Sequence, residues 1–174
     1  LTLVGEPGYM IYYSQRKPVR KDKNMALLQQ WREYAYGVDI NSKAGQGIWA
    51  KYFREETAVY EQLLADPETV VTGTVKELAE KYQMEVLYMA GFLDGINDSL
   101  KEPNPIETME EDTQMKLDID LEKLYYHMVE AKADWLYELP AWDNLLTAER
   151  RKELYREQKA SGTIVKEKKI GRND

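Results

Sequence analysis

The stretch Leu121-Glu-Lys-Leu-Tyr-Tyr-His-Met-Val-Glu-Ala-Lys-Ala-Asp-Trp-Leu-Tyr-Glu-Leu-Pro140 decides the fold class of this chain. Its apolar residues recur every three or four positions, which is the spacing of one face of an α-helix. They are Leu121, Leu124, Tyr125, Met128, Ala131, Trp135, Leu136 and Leu139. Pro140 ends the pattern, because proline lacks a backbone donor and clashes with the preceding turn. We therefore predict one long helix from residue 121 to residue 139.

The same spacing recurs in five other segments of the chain. We predict helices over residues 25–36, 41–65, 75–82, 86–100 and 147–160. Thr74 and Glu77 have the spacing of a capping box, and Thr147 is a good N-cap. Asp66-Pro67 predicts the end of the second helix, and Gly162 predicts the end of the last one.

The sum of these elements is an all-α fold, an irregular domain of about six helices. Short strands are predicted over residues 9–13 and 115–119, and Thr163-Ile164-Val165 predicts an extended C-terminal arm. The chain then divides into an N-terminal extension (1–24), a helical domain (25–162) and a linker with the start of a tail motif (163–174).

The first 24 residues differ in character from the rest. Gly5-Glu6-Pro7-Gly8 is typical of a turn, and Arg16-Lys17-Pro18-Val19-Arg20-Lys21 is a basic loop. Met25 begins a clean helical pattern. Two hypotheses follow: residues 1–24 lie upstream of the true translation start, or they form a loosely attached extension. The order of charged and apolar residues does not fit a secretory signal.

Charge is distributed unevenly along the chain, whose net charge is −7. Residues 25–146 hold ten basic and 24 acidic residues, whereas residues 147–174 hold nine basic and five acidic ones. An acidic body disfavours DNA as its partner, because phosphate contacts need clustered Lys and Arg. No apolar run approaches the roughly 20 residues of a spanning helix. The chain has no cysteine, which fits a cytoplasmic location.

The last six residues, Lys169-Ile170-Gly171-Arg172-Asn173-Asp174, resemble the opening of the SEC-C motif, the zinc-binding tail named from a preprotein translocase ATPase. In that family the cysteine ligands follow such a run. The resemblance implies that this chain is truncated just before its metal ligands. The resemblance implies no cofactor for this chain and a zinc ion for the full-length protein.

The body resembles a group of small clostridial proteins that carry a helical body followed by a SEC-C tail and have no established activity. The residues that carry this resemblance are Leu28–Gly37, Gly73–Lys81, Gly91–Asp98 and Ala131–Tyr137. It spans about residues 25–174. It implies a protein or ribonucleoprotein partner for the tail and no catalytic mechanism.

Three other residue patterns allow a purely structural interpretation as well as a functional one. His127, the only histidine, forms a His-x-x-Glu-x-x-x-Asp series with Glu130 and Asp134 that would ligate a metal beside Asp94 or Asp98. One histidine rarely makes such a site, so we favour a solvated helix flank. Asp118 and Asp120 would form a pair of carboxylates for acid–base chemistry, but they are more simply interpreted as residues at the start of a helix. Gly91 and Gly95 predict close approach of a helix within this domain.

Residues 75–96 have the outline of a DNA-binding helix-turn-helix. The second helix carries acids and no Lys or Arg, so we interpret the pair as a plain helical hairpin. The basic run Arg150, Arg151, Lys152, Arg156 and Lys159 is interleaved with glutamates and is typical of a solvated helix face.

The function favoured by the sequence is a non-enzymatic protein-interaction or adaptor module that precedes a zinc tail. Its predicted binding residues are Lys166, Lys168, Lys169 and Arg172. Two alternatives stay open. One is a metal-dependent enzyme that uses the helical carboxylates and His127. The other is an RNA or ribosome binder that uses the basic C-terminal tail.

Overall fold

The computed structural model describes residues 25–66, 70–100 and 102–173, and side chains up to residue 161. Over these residues the chain forms seven α-helices, a 3₁₀ helix and a two-stranded sheet. The elements are α1 (Leu27–Gly37), α2 (Lys43–Ala65), β1 (Val70–Thr74), α3 (Val75–Tyr82), α4 (Val86–Ser99), β2 (Gln114–Asp118), α5 (Leu121–Glu130), α6 (Asp134–Tyr137), the 3₁₀ helix Pro140–Asn144 and α7 (Ala148–Asn173). The predicted extension 1–24, with its strand over 9–13, lies outside the described residues.

Helix α4 is the centre of the core. Its sequence is apolar on nearly every side, which is typical of a helix surrounded by protein. It packs against α1, α3 and α5. The approach of α1 depends on Gly91, because the Trp31 ring lies where a side chain at this position would start. The predicted role of Gly91 in packing within the domain is confirmed.

The sheet joins two segments that are distant in the sequence. Strands β1 and β2 are antiparallel, with Val71 opposite Leu117 and Gly73 opposite Met115. Val71, Met115 and Leu117 are buried in the core. The strand predicted over 115–119 is confirmed within one residue, but β1 was not predicted. The fold is therefore mostly helical, and all-α is too narrow a description of it.

The helix predicted over 121–139 is wrong in one respect, because it is two helices. Lys132 has a φ of 61°, in the left-handed region, and ends α5. The amides of Ala131, Lys132 and Ala133 donate to the carbonyls of His127, Val129 and Met128. This break lets Ala133 and Leu136 reach the core. Periodicity missed it because both pieces bury an apolar face.

The C-terminal prediction is also wrong. Helix α7 continues through Gly162, so residues 163–165 are helical and not an extended arm. The predicted domain boundary after residue 162 falls inside this helix. A glycine lowers helix stability by about 1 kcal/mol but does not end a helix, and no proline follows Pro140.

The predicted helix starts are confirmed in detail. The Thr74 hydroxyl accepts from the Glu77 amide at 3.0 Å, and the Glu77 carboxylate accepts from the Thr74 amide at 2.9 Å. The Thr147 hydroxyl accepts from the Arg150 amide at 3.1 Å.

Within the described part of the chain, none of the helices is both long and apolar enough to cross a lipid bilayer.

Candidate functional site

A groove of about 520 Å³ lies where α5, α6 and the first half of α7 meet. We call it the tyrosine groove. Three tyrosines and three basic residues line it, together with one carboxylate and one small residue. They are Tyr125, Tyr137, Glu138, Ala148, Arg151, Lys152, Tyr155 and Arg156. The break at Lys132 is what places α6, and thus Tyr137, beside α7.

The three tyrosines of the groove form a chain of edge-to-face contacts. The ring centroids of Tyr125 and Tyr137 are 5.9 Å apart, and those of Tyr137 and Tyr155 are also 5.9 Å apart. The Tyr137 and Tyr155 side chains are close enough for each to affect the other's electrostatics. Burial raises the pKa of Tyr125 and of Tyr137, which extends to higher pH the range in which both phenols are protonated.

The cations of the groove differ in how far they are engaged. Arg151 donates from Nη2 to the Asp143 carboxylate at 2.8 Å and from Nε to the Leu146 carbonyl at 3.2 Å. Lys152 and Arg156 are exposed, and neither forms an ion pair with the described residues. Glu138 is also exposed at the groove. The groove therefore has a positive balance, and Lys152 and Arg156 are its available charges.

Helix α7 packs against the rest of the domain along a narrow contact, which we call the seam. Leu154 and Gln158 are the buried residues of its described side chains. Arg150 adds a bidentate pair with Glu122 on α5, at 3.0 and 2.8 Å. Hydrogen bonding to Arg150 lowers the pKa of the Glu122 carboxyl. Arg150 thus stabilises the seam, whereas Arg151, Lys152 and Arg156 line the groove.

The residues predicted to bind, Lys166, Lys168, Lys169 and Arg172, lie on the later turns of α7. Their side chains are outside the described part of the chain. Each helical residue advances the axis by about 1.5 Å, so α7 carries them progressively farther along its axis from the groove. The same helix therefore connects the tyrosine groove to the predicted binding segment.

The sequence did not identify this groove. It placed Arg151, Lys152 and Arg156 on a solvated helix face and did not connect them to Tyr137 or Tyr155. The detectable signal was the i,i+4 spacing of Arg151 with Tyr155 and of Lys152 with Arg156, which puts all four on adjoining rows of one helix.

The structure does not bring together the residues of the metal-enzyme alternative. His127 Nδ1 lies 3.5 Å from Glu130 Oε1, and hydrogen bonding to His127 lowers the pKa of Glu130. Asp134, however, begins a separate helix beyond the break, so the predicted series does not share one helix edge. Asp94 is buried in an ion pair with Arg32.

Among the described residues, no three His, Cys, Asp or Glu side chains lie close enough together to hold a metal ion. The chain has no cysteine and one histidine, so its own residues do not fit the zinc site that a SEC-C tail implies.

The ion pair of Arg32 is the main buried polar feature of the body. Two guanidinium nitrogens donate to the Asp94 carboxylate at 3.3 and 3.0 Å, and another donates to Glu107 at 2.6 Å. Burial lowers the pKa of Arg32, but these hydrogen bonds outweigh it and raise the pKa. The pair joins α1 to α4 and to the loop that precedes β2.

The remaining candidate residues from the sequence have structural roles in helices and strands. Asp120 accepts from the Lys123 amide at 3.1 Å and caps α5, as predicted. Asp118 instead lies in β2, opposite Val70, so its predicted position at a helix start is wrong. The second helix of the hairpin over 75–96 is the central helix α4, and its burial leaves little surface to enter a DNA groove.

A second open groove, of about 750 Å³, lies between the end of α1 and the start of α2. Glu33, Tyr34, Asp39 and Ser42 are among the residues that line it. Its charged residues are carboxylates, so it differs in sign from the tyrosine groove.

Comparison of the chain with protein-family models, with curated proteins and with solved structures finds no match in any of the three.

Proposed function

We propose that this protein is a non-enzymatic interaction module that binds a protein partner along α7. The observation that carries the proposal is the tyrosine groove at the start of this helix, with Lys152 and Arg156 exposed on it. Aromatic side chains and arginine are enriched where proteins meet, because they combine large contact areas with several hydrogen-bond donors. The body then acts as a scaffold that holds α7 in place.

The structural roles of the acidic side chains support a binding role over a catalytic one. Asp94 neutralises a buried arginine, Asp120 caps a helix and Glu130 contacts His127. Each of these groups has a local function that explains its position. The metal-dependent enzyme is therefore the less supported alternative.

Zinc belongs to this proposal only through the resemblance of residues 169–174 to a SEC-C tail. Metal analysis of the gene product purified from its natural source tests that part separately. Stoichiometric zinc supports a zinc tail, and a metal-free protein removes it.

Site-specific photo-crosslinking tests the interaction itself. A photoreactive amino acid is placed at Ala148, an exposed residue of the groove lining, at Lys166 or, as a control, at the exposed Glu61 on α2. We expect one partner, identified by mass spectrometry, to crosslink at positions 148 and 166 and not at 61. Its direct binding is then measured with purified components. Equal labelling at all three positions contradicts the proposal.

A further inference from the structure

We propose that the tyrosine groove binds an extended acidic segment of the partner protein, with carboxylates at alternate positions. This inference rests on the proposed function and specifies the ligand of the same site. Three observations carry it: the charge of the groove, the spacing of its available cations and the way its aromatic rings are already engaged.

The charge argument is one of complementarity. Lys152 and Arg156 face the groove without an ion pair among the described residues, whereas Glu138 is the single carboxylate of the lining. Arg151 keeps donor capacity, because the described contacts use its Nε and one Nη. Carboxylates of a ligand therefore find more positive than negative partners in this groove.

The spacing argument sets the geometry of the ligand. Lys152 and Arg156 are four residues apart on a helix, where side chains start about 5–6 Å from each other. In an extended strand, side chains on one face are two residues apart, a separation of roughly 6.5–7 Å. A Glu-x-Glu pattern in an extended peptide thus matches the two cations, whereas adjacent glutamates point to opposite faces.

The aromatic argument separates a peptide from single-stranded RNA. RNA binding at such a surface relies on bases that stack on open aromatic faces. Tyr125 is 6% exposed, and the Tyr137 ring packs edge-to-face against the rings of both Tyr125 and Tyr155. Lys159 Nζ lies 5.3 Å from the Tyr155 ring centroid, over its face. The rings are thus already engaged by protein groups, which disfavours stacking with bases.

The test is fluorescence anisotropy with the full chain and three labelled octapeptides. The first has glutamates at alternate positions, the second has the same composition with its glutamates in two adjacent pairs separated by two neutral residues, and the third replaces glutamate by glutamine. The second peptide has no two glutamates that are two positions apart. We expect saturable binding of the alternating peptide, about tenfold weaker binding of the paired one, and no binding of the neutral one. Equal binding of the first two overturns the geometry.

Variants locate the binding. The double variant Lys152→Gln/Arg156→Gln is expected to weaken binding of the alternating peptide by about tenfold or more. Lys76→Gln/Lys123→Gln removes the same charge from exposed positions outside the groove and is expected to have little effect. Tyr155→Phe removes one hydroxyl and is expected to cause a smaller loss. Equal losses in the two double variants overturn the inference, because the attraction is then non-specific.

Two further outcomes assign the groove to another occupant and overturn the inference. One is tighter binding of a single-stranded RNA of equal charge with the same dependence on Lys152 and Arg156. The other is self-association of the chain that the same variant abolishes. If peptide binding fails while crosslinking at position 148 persists, only this inference is lost. If peptide binding holds and no partner crosslinks, the interaction module is lost instead.

Discussion

The Trp31 indole occupies the space that a Cβ atom at Gly91 would take: its Nε1 and Cδ2 atoms would lie 2.6 and 2.7 Å from that atom. Both residues are in the core, on the facing sides of α1 and α4. Trp31 also packs on Tyr52, with ring centroids 4.9 Å apart, and edge-to-face on Tyr88 at 5.8 Å. The indole is thus held by aromatic neighbours and cannot easily move aside.

We expect Gly91→Ala to lower the free energy of unfolding by about 1–3 kcal/mol, because the added methyl group overpacks a fixed ring. Gly47→Ala on α2 is the matched control, since no atom lies within 4 Å of the added Cβ. It is expected to raise the free energy of unfolding by about 0.5–1 kcal/mol through helix propensity. Urea denaturation measures both, and a gain of stability in Gly91→Ala would contradict the packing argument.

The buried pair of Arg32 and Asp94 provides a second prediction. Asp94→Ala leaves the guanidinium in the core with Glu107 as its remaining charged partner among the described residues, and we expect a loss of about 3 kcal/mol of unfolding free energy. Glu85→Ala removes the exposed partner of Lys51, a 2.7 Å pair, and is expected to cost less than about 1 kcal/mol.

A double variant distinguishes a lost ion pair from a lost side chain. In Arg32→Met/Asp94→Leu no uncompensated charge is left beside the core, so we expect it to be more stable than Asp94→Ala alone. Chemical denaturation of the wild type, Arg32→Met, Asp94→Leu and the double variant gives the coupling energy. A double variant that loses the sum of both single losses would show that the two residues act independently.

Alkaline pH is expected to unfold the protein through its buried tyrosines. Burial, with a contribution from Tyr34, raises the pKa of Tyr88 from 10.0 to about 12. The fold thus favours the neutral phenol. This contribution to stability is complete below pH 10 and is lost as the pH rises through about 12. Near-ultraviolet absorbance of tyrosinate and circular dichroism follow the two processes together.

Tyr88→Phe should move the alkaline unfolding midpoint to higher pH, because it removes one group that must ionise. Tyr36→Phe, at a tyrosine that is 41% exposed, is the matched control and should leave the midpoint in place. An unchanged midpoint in Tyr88→Phe would mean that other groups govern alkaline unfolding.

The break between α5 and α6 predicts that two glycine substitutions change the free energy of unfolding in opposite directions. Lys132 adopts a left-handed conformation, which costs an L-residue roughly 1–2 kcal/mol relative to glycine. Lys132→Gly is expected to raise the free energy of unfolding by about 1 kcal/mol. Lys123→Gly, on an exposed turn of α5, is expected to lower it by about 1 kcal/mol. Denaturant midpoints of the two variants check the signs, and equal shifts would contradict the assignment.

Local signals explain which parts of the fold the sequence predicted. The ends of α3 match the prediction because Thr74 and Glu77 encode the start in their own side chains. The burial of β1 and the break at Lys132 depend on contacts with distant residues, which periodicity does not report. Val70-Val71-Thr72 is β-branched, but it becomes a strand only because β2 lies beside it.

The candidate site was likewise predicted only in its local features. Sequence spacing identified the basic face of α7 but not what lies opposite it. Tyr137 reaches that face only through the break after α5, a three-dimensional feature. The predicted binding segment over residues 166–172 stays a prediction, since its side chains lie outside the described residues.

The pairing of β1 with β2 fastens both ends of the segment that contains α3 and α4. Closing so long a loop costs entropy before any ladder bond forms, so this step is expected to come late in folding and to limit its rate. Once formed, the ladder makes the central helix part of a closed loop of chain, which limits the conformational entropy that α4 gains when it leaves the core. The slowest amide exchange should therefore mark the ladder and α4 as one cooperative unit.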